Sequence, residues 1–266
     1  MNPISVAPLR ERDVTRQIAR EYFKEFDSLI ESDIIIVGAG PSGLICARDL
    51  AATGFKTLVI EQSLALGGGF WSGGYLMNKA TICEPAHLIL EELGIPFKPI
   101  KDCPGMTIVD PPHATSRLIS AAYEAGAKIL NLTKVVDLIL RQDQKLEGVV
   151  VNNSPTEMVG HDIIHVDPIA LESQVVIDAT GHDAIVVDLL NKRNLYQKIP
   201  GNGAMWVARS EAQVVDNTRE IYPNCFVTGL AVAAVDGTPR MGPAFGAMLL
   251  SGRRAAELVR QKLKGE

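Results

Sequence analysis

Ile34-Ile-Ile-Val37 is an unbroken apolar run that stands behind Asp33 and stops at Gly38-Ala-Gly-Pro-Ser-Gly43. A short run bounded this way predicts a strand buried on both faces, and the small and apolar residues that follow to about Ala52 predict a helix. Lys56-Thr-Leu-Val-Ile60 predicts a second strand ending at Glu61. Upstream, Val14, Ile18, Tyr22, Phe26 and Leu29/Ile30 recur at helical spacing between Arg, Glu and Lys. They predict an amphipathic helix over residues 10–30 that either packs on its own domain or serves subunit contacts. Further along, the pattern predicts helices over 86–94 and 114–125, stopped by Gly94 and Gly126, and a strand over 128–132. Residues 135–140 and 146–152 pair as a hairpin, Val175-Val-Ile-Asp178 forms a buried strand ending in a glycine turn, and Asn224 to Gly229 forms another. A helix from about Ala247 to Leu263 closes the chain.

The strand, glycine loop, helix and second strand together give Gly38-x-Gly40-x-x-Gly43 the context of a dinucleotide fingerprint. Gly38 permits the tight turn, Gly40 lets a pyrophosphate approach the backbone, and Gly43 lets helix and strand pack closely. The helix N-terminus faces the anion with unpaired N–H groups. Glu61, eighteen positions past Gly43, suits the adenosine ribose hydroxyls. The expected fold is α/β: a Rossmann-like dinucleotide-binding fold of the two-dinucleotide-binding flavoprotein type, with a central parallel sheet and an added antiparallel hairpin. Residues 1–266 are expected to form one domain, with an N-terminal helix (1–30) and an inserted middle segment (about 75–170).

Composition narrows the partners. The 266 residues are 47% hydrophobic and carry a net charge of −5, which argues against nucleic-acid and anionic-membrane partners. No apolar segment reaches the roughly 18 residues that span a bilayer, and the expected location is the cytoplasm. Cys46, Cys83, Cys103 and Cys225 lack C-x-x-C spacing, so neither a zinc site nor a disulfide framework is indicated.

Three segments carry candidate chemistry. Gly67-Gly-Gly-Phe-Trp-Ser-Gly-Gly74 is either a loop beside the cofactor or a plain glycine turn. Gly160-His-Asp-Ile-Ile-His-Val-Asp-Pro168 concentrates two histidines and two carboxylates; if extended, it places His161, His165 and Asp167 on one face. His182 ends the later strand at the edge where open α/β sheets bind ligands. Asp167 and His182 then suit either a divalent transition metal such as iron or a hydrogen-bonded His/Asp pair. Arg240, among Gly and Pro residues in Gly237-Thr-Pro-Arg-Met-Gly-Pro-Ala-Phe-Gly246, suits bidentate carboxylate recognition, with a surface arginine as the plain alternative.

Asp33-Ile-Ile-Ile-Val-Gly-Ala-Gly-Pro-Ser-Gly-Leu44, Gly67-Gly-Gly-Phe-Trp71, Val166-Asp-Pro168, Ala179-Thr-Gly-His-Asp183, Thr218-Arg-Glu-Ile-Tyr-Pro223 and Gly237 to Gly252 resemble the thiamine thiazole synthases over nearly the whole chain. The resemblance implies synthesis of ADP-5-ethyl-4-methylthiazole-2-carboxylate from NAD, glycine and sulfide, with nicotinamide released. It implies NAD contacts at Ser42, Glu61, Gln62, Gly69, Val135, His165, Val166, Asp167 and Leu230, and glycine recognition by Arg240. Fe(II) ligands are implied at Asp167 and His182 from neighbouring subunits of a homo-octamer. Yeast and plant members carry a sulfur-donating cysteine two residues before the Asp-Pro; here His165 stands there, which resembles the archaeal-type, sulfide-dependent form. His165 is also a candidate for proton transfer by its position and natural pKa. Flavoproteins usually have Gly-Asp where this chain has Gly229-Leu230, which argues against FAD. An FAD-dependent oxidoreductase, a ribose-1,5-bisphosphate isomerase and a non-catalytic NAD- or iron-sensing module are the rivals.

Overall fold

The computed structural model describes residues 7–158, 166–199, 201 and 203–265. Helix α1 (Glu11–Leu29) leads into strand β1 (Glu31–Val37), helix α2 (Pro41–Ala51) and strand β2 (Thr57–Ile60). Ile34, Ile35, Ile36, Leu58 and Val59 are completely buried, as strands covered on both faces require. β1 pairs in parallel with β2, as the apolar run predicts.

Two 3₁₀ turns over Gly68–Ser72 and Gly74–Leu76 follow. A separate antiparallel sheet is then built from β3 (Ala80–Cys83), β4 (Phe97–Pro99) and β5 (Met106–Val109), with the central strand β5, and helix α3 (His87–Glu92) lies between β3 and β4. Helix α4 (Pro111–Glu124) returns the chain to the main sheet, where β6 (Lys128–Leu130) pairs with β2. The expected hairpin is β7 (Thr133–Leu140) and β8 (Leu146–Asn153). The middle segment thus contributes both a small sheet of its own and strands of the main one.

Strand β9 (Ile169–Asp178) runs through the centre. One edge pairs in parallel with β1; the other pairs antiparallel with β8 at its start and parallel with a later strand at its end. Between them come helix α5 (Ile185–Lys192), strand β10 (Gly203–Met205), helix α6 (Val207–Asp216) and strand β11 (Arg219–Tyr222); β12 (Cys225–Val227) is that later strand. The main sheet reads β11-β12-β9-β1-β2-β6, with the β7–β8 hairpin attached through β8. Helix α7 (Leu230–Asp236), strand β13 (Pro239–Arg240) and helix α8 (Gly246–Lys264) complete the chain.

Close helix packing fixes the ligand end of the sheet. A Cβ on Gly43 would stand 2.0 Å from the Gly38 carbonyl oxygen, and one on Gly252 of α8 would stand 2.3 Å from the Ser42 carbonyl oxygen. Glycine at both positions lets α2 sit against β1 and α8 sit against α2.

The N-terminal helix departs from the simpler expectation. Its period is helical, but only Leu29 of its 19 residues is buried, and Ile18 and Phe23 are 66% and 67% exposed. The apolar row finds a surface on its own domain only near Phe26 and Leu29. Among the described residues no helix is long and apolar enough to cross a membrane.

Candidate active site

The C-terminal ends of β1 and β2 open into a cavity of about 570 Å³. Its floor is the glycine loop between β1 and α2. Gly40 is the N-cap of α2 and Pro41 takes the first helical position, where its missing N–H costs nothing. The Ser42 and Gly43 amides therefore belong to the unpaired first turn, the part of a helix suited to anions.

Glu61, placed by β2, is buried yet lines this cavity. Its Oε2 accepts the Ala39 N–H at 2.9 Å and its Oε1 accepts the Ser63 N–H at 2.8 Å. Two backbone donors on different loops hold the carboxylate in one orientation while its remaining lone pairs stay available. Gln62 from the same strand end, Gly69 from the 3₁₀ turn, Val135 from β7 and Leu230 from the start of α7 line the same cavity. The Gly67–Gly74 loop is therefore a wall of the site. Phe70 and Phe245 meet beneath it with ring centroids 4.7 Å apart, and Met248 from α8 extends this apolar side.

His182 sits on a short turn between β9 and α5, exposed at the cavity wall. Asp178, the last residue of β9, is completely buried beneath that turn and accepts hydrogen bonds from Thr180, Val186 and Val187. Burial pushes its carboxyl up from the ordinary value, against the opposing effect of those bonds.

Asp167 lies elsewhere. It is exposed just before β9, whereas His182 follows the other end of that strand. The ten residues of β9 intervene, a span of roughly 30 Å at about 3.3 Å per residue. One protomer therefore does not bring these two side chains to one ion, and among the described residues no group of three His, Cys, Asp or Glu side chains could hold a metal. A carboxylate and an imidazole suit Fe(II) with open positions, but the donor set fits only if two protomers share the site. Val166 is exposed beside Asp167, and the expectations for His161 and His165 lie outside the described residues.

Residues 15–245 match the model of the Thi4 family. The chain belongs to the Thi4 family. Among its relatives, the thiamine thiazole synthase of Aeropyrum pernix is 46% identical over 97% of this chain and 94% of its own length. That of Solidesulfovibrio magneticus is 42% identical over 97% and 99%. The crystal structure of Thermovibrio ammonificans THI4 superposes with a TM-score of 0.92 at 34% identity, covering 97% of this chain and 100% of that one. The match to this Thi4-family structure agrees with the Rossmann-like sheet described above.

Arg240 occupies β13, which pairs with β10. The Trp206 N–H donates to its carbonyl oxygen at 3.0 Å, and Gly242 and Pro243 just beyond it line the cavity. Its side chain is exposed and lies at the rim rather than on the wall. Behind the rim, Glu211 of α6 accepts the Ala247 N–H at 2.9 Å and so caps α8. Burial pushes its carboxyl up to about 6, and its Oε1 is buried without a partner. The sequence reading did not single out Glu211, Thr180 or Asp178. The Asp-x-Thr-Gly spacing at the end of a buried strand is the signal that could have found the last two.

Proposed function

We propose that this chain is a thiamine thiazole synthase that consumes NAD and glycine, takes sulfur from free sulfide, and releases nicotinamide. The observation that carries this reading is one cavity lined at once by the glycine loop, Glu61, Gln62, Val135, Leu230 and His182. The Ser42 and Gly43 amides bind the pyrophosphate, and Glu61 accepts hydrogen bonds from the ribose hydroxyls and repels a 2′-phosphate. With the nicotinamide gone, the opened ADP-ribose isomerises to a ketone, glycine condenses with it, and sulfide addition with loss of water closes the ring. The Phe70, Phe245 and Met248 side excludes bulk water from these steps. Arg240 offers its planar fork to the glycine carboxylate from the rim. His165, by its place in the sequence, is a candidate to move protons during the carbonyl shifts.

Asp167 of one protomer and His182 of a neighbour are the residues that would hold Fe(II). The ion would supply Lewis acidity and a template for sulfide. The working form is accordingly a homo-oligomer, an octamer in this reading. Exposed Tyr75, Leu76, Met77, Met205 and Trp206, with Tyr75 and Met205 on the cavity wall, are consistent with a mouth that a neighbour covers.

Free sulfide is favoured by where the thiols lie. None of the four cysteines lines the cavity. Cys46 and Cys225 are buried, and burial pushes their thiols well up, away from reactive thiolate. Anaerobic incubation with NAD, glycine, Fe(II) and sulfide, followed by mass spectrometry of nucleotides and intact protein, tests the reading. The expected result is several equivalents of thiazole nucleotide per chain with protein mass unchanged. Product capped at one equivalent, with a cysteine losing the mass of a sulfur, overturns sulfide dependence. Absence of nicotinamide release, or conversion of ribose bisphosphate without NAD, overturns the function.

A further inference from the structure

Helix α1 is a long element that its own domain barely covers. From Glu11 to Glu25 every residue but Asp13 is exposed, Phe26 is half-buried, and only Leu29 is buried. Most helical stability in a folded protein comes from packing an apolar face, so a 19-residue helix anchored by its last turn alone is marginal in water. The apolar face is present but bare. Val14, Ile18 and Tyr22 follow one another at four-residue steps, and Phe26 and Leu29 carry the same row into the domain. None of these residues lines the ligand cavity.

A groove of about 210 Å³ lies where the row enters the domain. Tyr22, Phe26, Leu29 and, from β6, Leu130 give it apolar walls, and Glu21 and Glu25 give it an acidic border. The Tyr22 and Phe26 rings stack with centroids 5.8 Å apart, and Phe23 meets Tyr22 edge-on at 5.5 Å, so the aromatic end of the row is held in one shape. Its complement is an apolar strip with basic residues beside it. The other half of α1 is such a strip. Leu9, Val14 and Ile18 are exposed there, and Arg10, Arg12, Arg16 and Arg20 against Glu11 and Asp13 give residues 10–20 a net charge of +2. Glu21, Glu25 and Asp27 against Lys24 give residues 21–29 a net charge of −2. The ion pairs along α1 join Asp13 to Arg12 and Arg16 and Glu25 to Lys128, which leaves Arg10 and Glu21 without one among the described residues.

We propose that α1 is an exchange arm: the basic N-terminal half of each α1 lies antiparallel along the acidic, apolar groove at the root of α1 in a second copy of this chain. Each copy gives one arm and one groove, so the contact is isologous and closes on itself. Setting Val14 of one helix opposite Ile18 of the other brings Arg10 level with Tyr22 and beside Glu21, at both ends alike, because both steps are four residues. A membrane surface fits less well. Arg12, Arg16, Arg20 and Lys24 are outnumbered by Glu11, Asp13, Glu21, Glu25 and Asp27, so the helix has no net positive charge for anionic headgroups. The arm pairing stands apart from the cavity and holds whether or not that cavity makes thiazole.

The test measures the mass of the full-length protein in solution by light scattering over a dilution series, with NAD affinity followed in parallel by calorimetry. Ile18→Asp puts a charge in the middle of the row and is expected to halve the mass of the assembly, because a two-fold contact joins copies in pairs. Arg10→Glu and Glu21→Arg each set like charges together at both ends of the contact, and each is expected to weaken association roughly 10-fold. Combined in one chain they restore opposite charges, and the double variant is expected to associate within about threefold of wild type. NAD affinity should stay within about twofold of wild type in every variant, since the arm lies outside the cavity. A monomeric wild type, or an assembly mass unchanged by Ile18→Asp, overturns the proposal. So does a double variant as weak as its two changes added, for then the charges act without meeting. Loss of NAD affinity in Ile18→Asp would show α1 to be part of its own domain's packing, and sedimentation of the wild type with phosphatidylglycerol vesicles, abolished by Ile18→Asp, would make a membrane the occupant; either result overturns the exchange arm. A wild type that binds no NAD defeats the thiazole reading instead, and the arm is then judged on mass alone.

Discussion

At the glycine loop, the groups suited to the nucleotide are held by neighbours on their own chain: Glu61 by two backbone amides, α2 by the close approach of Gly43 to Gly38 and of Gly252 to Ser42. At the ends of β9 the same chain supplies halves. His182 stands exposed at one end, Asp167 stands exposed beyond the other, and Arg240 waits at the rim. In the proposed reading, the glycine loop, Glu61, Gln62, Val135 and Leu230 meet in one protomer, while Val166 and Asp167 lie outside that cavity and Asp167 would meet a His182 only across two protomers. Binding and turnover should therefore respond to different perturbations, binding to changes within a chain and turnover to changes between chains.

The sharpest way to break the comparison is to mix subunits. Asp167→Asn and His182→Ala should each reduce thiazole formation to background. Co-assembled in equal amounts, the two variants should recover about a quarter of wild-type activity, since random assembly pairs the intact Asp167 of one chain with the intact His182 of another at that frequency. No recovery in a mixture verified by mass spectrometry would place both ligands in one chain.

On the nucleotide side, Gly43→Ala pushes a methyl into a carbonyl oxygen at 2.0 Å. A loss of about 3 kcal/mol in chemical denaturation, with loss of NAD binding, is expected from such overpacking. For stability Gly69→Ala is the control, because a Cβ there meets nothing within 4 Å; an equal loss in chemical denaturation would show that the loop is not packed as described. Next in size is Glu61→Gln, which keeps the shape but replaces a charged acceptor. Calorimetry should show NAD affinity reduced by about 1.5 to 3 kcal/mol and discrimination against NADP narrowed.

The smallest effect concerns Glu211. Its folded-state pKa is raised to about 6, so the stability it contributes is full below the unfolded value and is lost as pH rises through about 6. Relative to Glu211→Gln, the wild type should lose about 2 kcal/mol between roughly pH 4.5 and pH 7.5. Denaturation curves with parallel pH slopes in both proteins would remove Glu211 as the cause.

The legible parts of the sequence were those whose signal is local. Ile34 to Val37, the glycines at 38, 40 and 43, and the acid at 61 define strand, turn, helix and strand without help from distant residues. Helix α5 was illegible for the opposite reason. Ile185-Val-Val carries β-branched residues that favour strands, and the helix is fixed by Asp178 reaching across from the end of β9. Likewise α6 carries no side-chain cap on Trp206 and gains its meaning from the contact of Glu211 with α8. For α1 the period of Val14, Ile18 and Tyr22 gave the helix correctly, but a period reports which face is apolar and not what covers it. The placement of Asp167 and His182 was hidden because sequence shows that both flank a strand, while the length of β9 decides that they stand far apart.

Strand β9 also has a consequence for motion. Its Glu172–Asp178 stretch is bonded to β1, while its opposite edge is bonded to β8 over Ile169–Glu172 and to β12 over Val176–Asp178. Where the strand is bonded on both sides, at Glu172 and over Val176–Asp178, it opens only when the sheet opens, so the amides there belong to the slowest-exchanging class of the molecule. In an assembly whose sites join the start of one β9 to the end of the next, each strand is a stiff strut between two neighbouring sites. The spacing between successive sites is then set by the length of the strut rather than by the loops that meet the ligands.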